Sequence, residues 1–148
     1  PAVAVARGGA DGGFADAVDL PVTNDGPTYT NGYTFGATQS MPQNCGPLPL
    51  DVWYSFTAGT GRHLVDCVRA VTPDASVYVE VFSGACGSLT SLACQQTSTI
   101  PLALDGLVPG SIYHVRVLSS TSAPGTRRGQ KCSMAATSGA AQFRSRCR

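Results

Sequence analysis

Charge is scarce in this chain: charged side chains make up 13% of its 148 residues, and lysine occurs once, at Lys131. No segment keeps a helical hydrophobic period for more than a turn or two, so long amphipathic helices are excluded. No apolar run approaches the roughly 18 residues of a membrane-spanning helix, and no membrane insertion is expected. No two cysteines stand in a Cys-x-x-Cys pair, which removes the commonest zinc and redox spacings. Imidazole is limited to His63 and His114, and neither lies near a Gly-x-Ser-x-Gly elbow. A serine or cysteine nucleophile needs a base beside it, so neither histidine is assigned catalysis and the chain is not expected to be an enzyme. His114 is expected on a solvent-facing side of its strand, and His63 directly after a turn.

What is present is glycine, proline, serine, threonine, valine and alanine, the composition of many short strands joined by frequent turns. The length suits one domain that buries roughly two-thirds of its unfolded surface. Pro1 to Ala6 is too short for the core and basic flank of a signal peptide, and the chain reads as a processed piece of something longer.

Six cysteines, an even set, read as disulfides, which places the protein in an oxidising compartment, extracellular or at the cell surface. Their number allows 15 full pairings. The short loop between Cys86 and Cys94, with Gly87 and Ser88 inside it, makes these two the expected pair. Charge is divided unevenly: residues 1–126 carry four basic side chains against all nine acids, a net charge of −5, while the last 22 residues carry six basic side chains and no acid. Such blocks mark contacts with an oppositely charged surface, another copy of the chain included, or a solvated tail. The basic tail lacks interleaved aromatics and the body is acidic, so nucleic acid is not an expected partner.

In order, residues 1–13 are small and glycine-rich and read as a flexible N-terminal arm or linker, whose Ala/Val segment has the backbone freedom to add to a sheet edge. Ala17 to Val22 alternates weakly around Pro21, an edge strand. Tyr29 to Ala37 follows as a strand, and Thr38 to Leu50 as a long irregular loop for a disulfide to pin. Asp51-Val-Trp-Tyr-Ser-Phe56 has bulk on both faces, as a central strand does; Trp53 and Tyr54 are structural candidates, with Trp53 read as a core residue rather than an exposed sugar-stacking ring. A glycine-rich hairpin turn over 58–62 leads to a strand over 63–71. Val77, Val79 and Val81 alternate with Tyr78, Glu80 and Phe82, and 89–93 returns after a turn. Leu102 to Val117 reads as two strands about a corner, with turn chemistry at Asp105-Gly106 and Pro109-Gly110. Past it Tyr113, Val115 and Val117 share the buried face, His114 and Arg116 the other. Tyr113 has the placing of a tyrosine corner, its hydroxyl folding back onto backbone between Asp105 and Val108. A last strand is permitted over 131–136. The β-sandwich domain thus spans residues 14–137, with a basic C-terminal tail over 138–148. The fold class is all-β: an antiparallel β-sandwich of about eight strands.

Three pieces go beyond a generic sandwich: Asp51 to Phe56, then Val81-Phe-Ser-Gly-Ala-Cys-Gly-Ser-Leu-Thr-Ser-Leu-Ala-Cys94, then Leu102 to Val117. Their order and spacing resemble the bacterial pre-peptidase C-terminal domains and related modules of large secreted and cell-surface proteins, over roughly Phe14 to Val117. Fibronectin type III domains share only the tyrosine-corner piece and rank second. The first resemblance implies a jelly-roll-like sandwich attached to a secreted protein, used for surface attachment, targeting or assembly, with no chemistry of its own. It departs in the basic, cysteine-containing segment 127–148, where that family closes with an apolar strand. Asp11, Asp16, Asp19, Asn24 and Asp25 cluster near the start and supply hard oxygen ligands, which makes calcium the one cofactor to weigh; the resemblance implies the same N-terminal edge, although no Asp-x-Asp-x-Asp-Gly loop is present. The expected function is a non-catalytic extracellular module that binds a protein or polysaccharide surface; the alternative is a self-assembling subunit of a filament or surface layer.

Overall fold

The computed structural model describes residues 5–7, 17–24, 28–33, 39–42, 44–46, 50–69, 77–85, 87–96, 101–119 and 131–138. All their regular structure is strand: β1 (Val5–Arg7), β2 (Val18–Asp19), β3 (Val22–Thr23), β4 (Thr30–Tyr33), β5 (Leu50–Thr57), β6 (Arg62–Arg69), β7 (Val77–Ser83), β8 (Thr90–Gln96), β9 (Leu102–Asp105), β10 (Ile112–Ser119) and β11 (Lys131–Ser138). The fold is all-β. β5, β7 and β10 are segments where β-branched and aromatic residues alternate, the composition that fits a pleated, packed surface.

Two sheets form, one of six strands along β1-β4-β11-β6-β9 with β3 also on β11, the other of five along β2-β5-β10-β7-β8. From β4 onward the chain moves from one sheet to the other at almost every connection, and only the β7–β8 hairpin stays in its sheet. Every pairing among these eight strands is antiparallel. That winding is the jelly roll, two Greek keys over eight strands. The three short strands before it pair in parallel on β4, β5 and β11.

The core lies between the sheets. Val52, Tyr54, Phe56, Val79, Val81, Tyr113, Val115 and Val117 of the five-stranded sheet meet Val65, Cys67, Leu102 and Leu104 of the other in one buried cluster. Period-two alternation places each set on one face. Leu20 enters the cluster from between β2 and β3, and its N–H donates to the Ser55 carbonyl at 2.7 Å. Pro21 separates those two strands, which pair with different sheets, so the expected edge strand over 17–22 is two short pieces bridging the layers.

The corner after β9 is built as the sequence indicates. Tyr113 is buried, and its hydroxyl accepts the Val108 N–H at 2.9 Å. Gly106 and Gly110 take φ of +74° and +84°, conformations that cost an L side chain strain. The 58–61 turn, in contrast, is not a hairpin: β5 and β6 belong to different sheets, and the turn carries the chain across the sandwich. It is tied to the tyrosine corner by Ala58 N–H to the Ser111 carbonyl (2.9 Å) and Gly110 N–H to the Ala58 carbonyl (2.7 Å). The N-terminal arm is not wholly apart from the sandwich either, since Val5 to Arg7 pair with Asn31 to Tyr33 on the chain's own sheet. The final strand, β11, lies between β4 and β6, and residues 139–148 of the basic tail fall outside the described residues.

Candidate functional site

Alternation on β10 gives Tyr113, Val115 and Val117 to the core and turns His114, Arg116 and Leu118 to the outer face of the five-stranded sheet. That outer face is not open at its centre: Arg116 is 0% exposed and so is Leu118. Arg116 is therefore a correction to the expectation of a strand with one solvated side. Register explains what it meets. Arg116 lies opposite Trp53 on β5 and opposite Glu80 on β7, and Glu80 in turn lies opposite Cys94 on β8. One lateral row thus runs Trp53, Arg116, Glu80, Cys94 across four strands.

The row is covered by residues 39–42 and 44–46, a strap laid over the sheet. The Arg116 guanidinium donates from Nη2 to the Met41 carbonyl (2.8 Å) and from Nη1 to the Pro42 carbonyl (3.2 Å). Its Nε donates to Asp51 Oδ2 at 2.8 Å, Nη2 makes an ion pair with the same oxygen at 2.7 Å, and Nη1 faces Glu80 Oε2 at 3.8 Å. Asp51 Oδ2 also accepts from Ser40 N–H (3.1 Å) and Ser40 Oγ (2.9 Å), while Trp53 Nε1 donates to Ser40 Oγ at 2.8 Å. Ser91 Oγ donates to Glu80 Oε1 at 2.8 Å. The guanidinium carbon lies 5.8 Å from the centroid of the Trp53 ring, within cation–π range, and Trp53 packs against Phe82 with centroids 5.4 Å apart. Buried charges persist only when paired and hydrogen-bonded, and among the described residues the hydrogen bonds of the arginine end on Asp51 and the strap.

The other end of the strap is covalent. Cys45, 1% exposed, is joined to Cys94 across 49 residues with Cα atoms 5.7 Å apart. Beside it Cys45, Leu118 and Tyr78 form a small apolar cluster. Gly46 follows with φ of +73°, and a Cβ there would come within 2.7 Å of the Tyr78 ring. The expected Cys86–Cys94 pair is thus replaced by Cys45–Cys94. The reason is strand geometry: Ser83 pairs with Thr90 across the mouth of the hairpin loop, so Cys94 stands four residues beyond that mouth, about 13 Å along β8 from it. Cys86 itself lies outside the described residues, and Cys67 is also disulfide-bonded.

Chemically the arrangement is a clamp. Ser40 Oγ is engaged with Asp51 and Trp53. His63 is fully buried under Phe56, and its Nε2 accepts the N–H groups of Gly59 (3.1 Å) and Thr60 (3.3 Å), which shapes the crossing turn. His114, part-exposed as expected, has its pKa held below the usual histidine value by partial burial. Among the other sequence candidates, Trp53 and Tyr54 are buried, on opposite faces of β5; burial pushes the Tyr54 phenol well above its ordinary pKa. Asp19 is exposed on β2, and Asp11, Asp16 and Asp25 lie outside the described residues. Among the described residues no three His, Cys, Asp or Glu side chains are grouped to hold a metal ion.

The residues that sequence reasoning missed are Asp51, Glu80, Arg116 and Ser40. A signal for them exists in the bulk that flanks Glu80 on β7, Tyr78 and Phe82, and in Trp53: three large rings on one nominally outer face need a cover. No family model matches the chain, and no curated protein or solved structure is similar to it.

Proposed function

We propose that this chain is a non-catalytic extracellular module that attaches or assembles a secreted or cell-surface protein, by holding it to a protein or polysaccharide surface. The observation that carries this reading is the strap clamp. Among the described residues the buried Arg116 and Asp51 fasten residues 40–42, with Glu80 beside the arginine, and a disulfide holds Cys45 of the same strap. Investment of that kind favours a durable body for an oxidising compartment. The likeness of Asp51–Phe56, Val81–Cys94 and Leu102–Val117 to pre-peptidase C-terminal domains supports the same assignment. As a fusion to a fluorescent reporter, the chain should retain the reporter on an insoluble cell-wall polysaccharide or on a protein-coated surface, with that ligand left chemically unchanged. Retention equal to reporter alone on all such surfaces contradicts attachment; cleavage or modification of the ligand would make the chain an enzyme.

One observation favours the alternative, a self-assembling subunit of a filament or surface layer. β1, drawn from the glycine-rich N-terminal segment, pairs in parallel on the outer edge of β4, and the same pairing between copies makes a head-to-tail contact. In sedimentation velocity the full chain should then run larger than a monomer while the chain lacking residues 1–13 does not. If both sediment as monomers at low and high salt, assembly through this arm is wrong.

A further inference from the structure

The strap is fastened at two places by two kinds of chemistry. Ser40, Met41 and Pro42 are held by hydrogen bonds to Asp51, Trp53 and Arg116. Residues 44–46 are held by the disulfide to Cys94 and by the contact of Gly46 with the Tyr78 ring. The two cysteines are not equivalent. Cys94 is exposed on β8, whereas Cys45 is 1% exposed beside Leu118 and Tyr78, its sulfur 3.9 Å from the Val79 carbonyl. We propose that Cys45–Cys94 is a redox clasp whose reduction by a dithiol frees residues 44–46 of the strap, while the 40–42 end and the sandwich stay in place.

The asymmetry sets the course of the exchange. A thiolate of the reductant reaches the bond from the exposed side and attacks Cys94 Sγ; the S–S bond breaks and the electron pair leaves on Cys45 Sγ. A thiolate is disfavoured in an apolar pocket, so departure of Cys45 is coupled to outward movement of 44–46 into water, where the sulfur takes up a proton. The second thiol of the reductant then displaces Cys94, which is protonated in turn. The dithiol has become a cyclic disulfide, having given two electrons and two protons to the two cysteines. Movement of 44–46 uncovers Leu118 and Tyr78, so the central face of the five-stranded sheet presents an apolar patch only in the reduced protein.

The test uses the full chain as a Cys94→Ser variant, which opens the clasp and leaves the Cys67 disulfide formed, and in parallel the wild-type chain treated with one equivalent of dithiothreitol. Iodoacetamide labelling of Cys45 should exceed the rate set by global unfolding about tenfold or more, as local opening does. Amide hydrogen exchange of β5, β7 and β10 should stay slow, faster by no more than the roughly thousandfold that loss of the 49-residue loop closure takes from global stability, and fluorescence of the single tryptophan, Trp53, should stay native. Labelling of Cys45 only at the global unfolding rate, in either sample, overturns the clasp. Exchange of β5 and β10 faster than that limit, in either sample, overturns it too, since the disulfide would then hold the whole fold.

Discussion

Tyr54 and Tyr113 are two buried phenols in the same core with opposite balances. The Tyr113 hydroxyl accepts the Val108 N–H at 2.9 Å, whereas the Tyr54 hydroxyl, at 0% exposure, has no hydrogen-bond partner among the described residues. A net hydrogen bond is worth about 1 kcal/mol, and a buried hydroxyl without a partner carries an uncompensated desolvation cost of about 1–3 kcal/mol. Tyr113→Phe should therefore destabilise the chain by about 1 kcal/mol and Tyr54→Phe should stabilise it by about as much; denaturant midpoints at unchanged slope check both, and equal shifts would contradict the difference. Arg116→Met leaves Asp51 and Glu80 as buried carboxylates without their cation, and the expected loss is about 3–5 kcal/mol by the same measurement. Arg62 and Asp105, paired at 3.4 Å but with side chains 59% and 73% exposed, should matter little when either is replaced. The Tyr113 corner was legible because all its parts lie within a dozen residues of sequence. Arg116 was not, because its partners on the strap are 74 and 75 positions away, and alternation reads as a solvated face whatever a distant loop later covers.

At the scale of elements, the strands were legible and the connections were read less well. β5, β7 and β10 follow their alternation, and the corner at Gly106 and Gly110 follows its turn residues. The 58–61 turn has the composition of a hairpin but crosses between sheets, a difference decided by pairing of β6 with β9 and β11 that local sequence does not encode. The Cys86–Cys94 expectation failed for a related reason: proximity in sequence stood in for proximity in space, although a strand carries a residue away from its turn. The disulfide expected to pin 38–50 did hold, with Cys45 as the anchor, although Leu50 already belongs to β5 and 38, 43 and 47–49 lie outside the described residues. Replacing both Cys45 and Cys94 by serine removes a 49-residue loop closure, worth about 4 kcal/mol in the chain-entropy view. Gly46→Ala should lower stability by about 1–3 kcal/mol, because the new methyl meets the Tyr78 ring and the backbone sits at positive φ. In thermal unfolding the glycine variant should lose less in the double-serine background than in the wild type; full additivity would mean that the glycine does not serve the clasp.

For the whole molecule, the jelly roll follows from where each strand is paired, and the sequence carried it as an all-β sandwich without the pairing order. Its layers need two covers. The inner faces cover each other, and the outer face of the five-stranded sheet takes the strap, which makes that sheet buried on both sides at its centre, as Val115 through Ser119 show by being buried without interruption. At one edge the short N-terminal strands lie against β4 and β5, where free backbone groups would otherwise invite another chain. That residues 39–42 and 44–46 lie clasped across the five-stranded sheet is tested most directly by peptide mapping of unreduced native protein, digested with trypsin and chymotrypsin so that Cys86 and Cys94 fall on separate peptides. The expected result is a Cys45 peptide joined to the Cys94 peptide and released from it by reduction; a Cys94 peptide joined to Cys86, with Cys45 recovered apart from it, would contradict the strap.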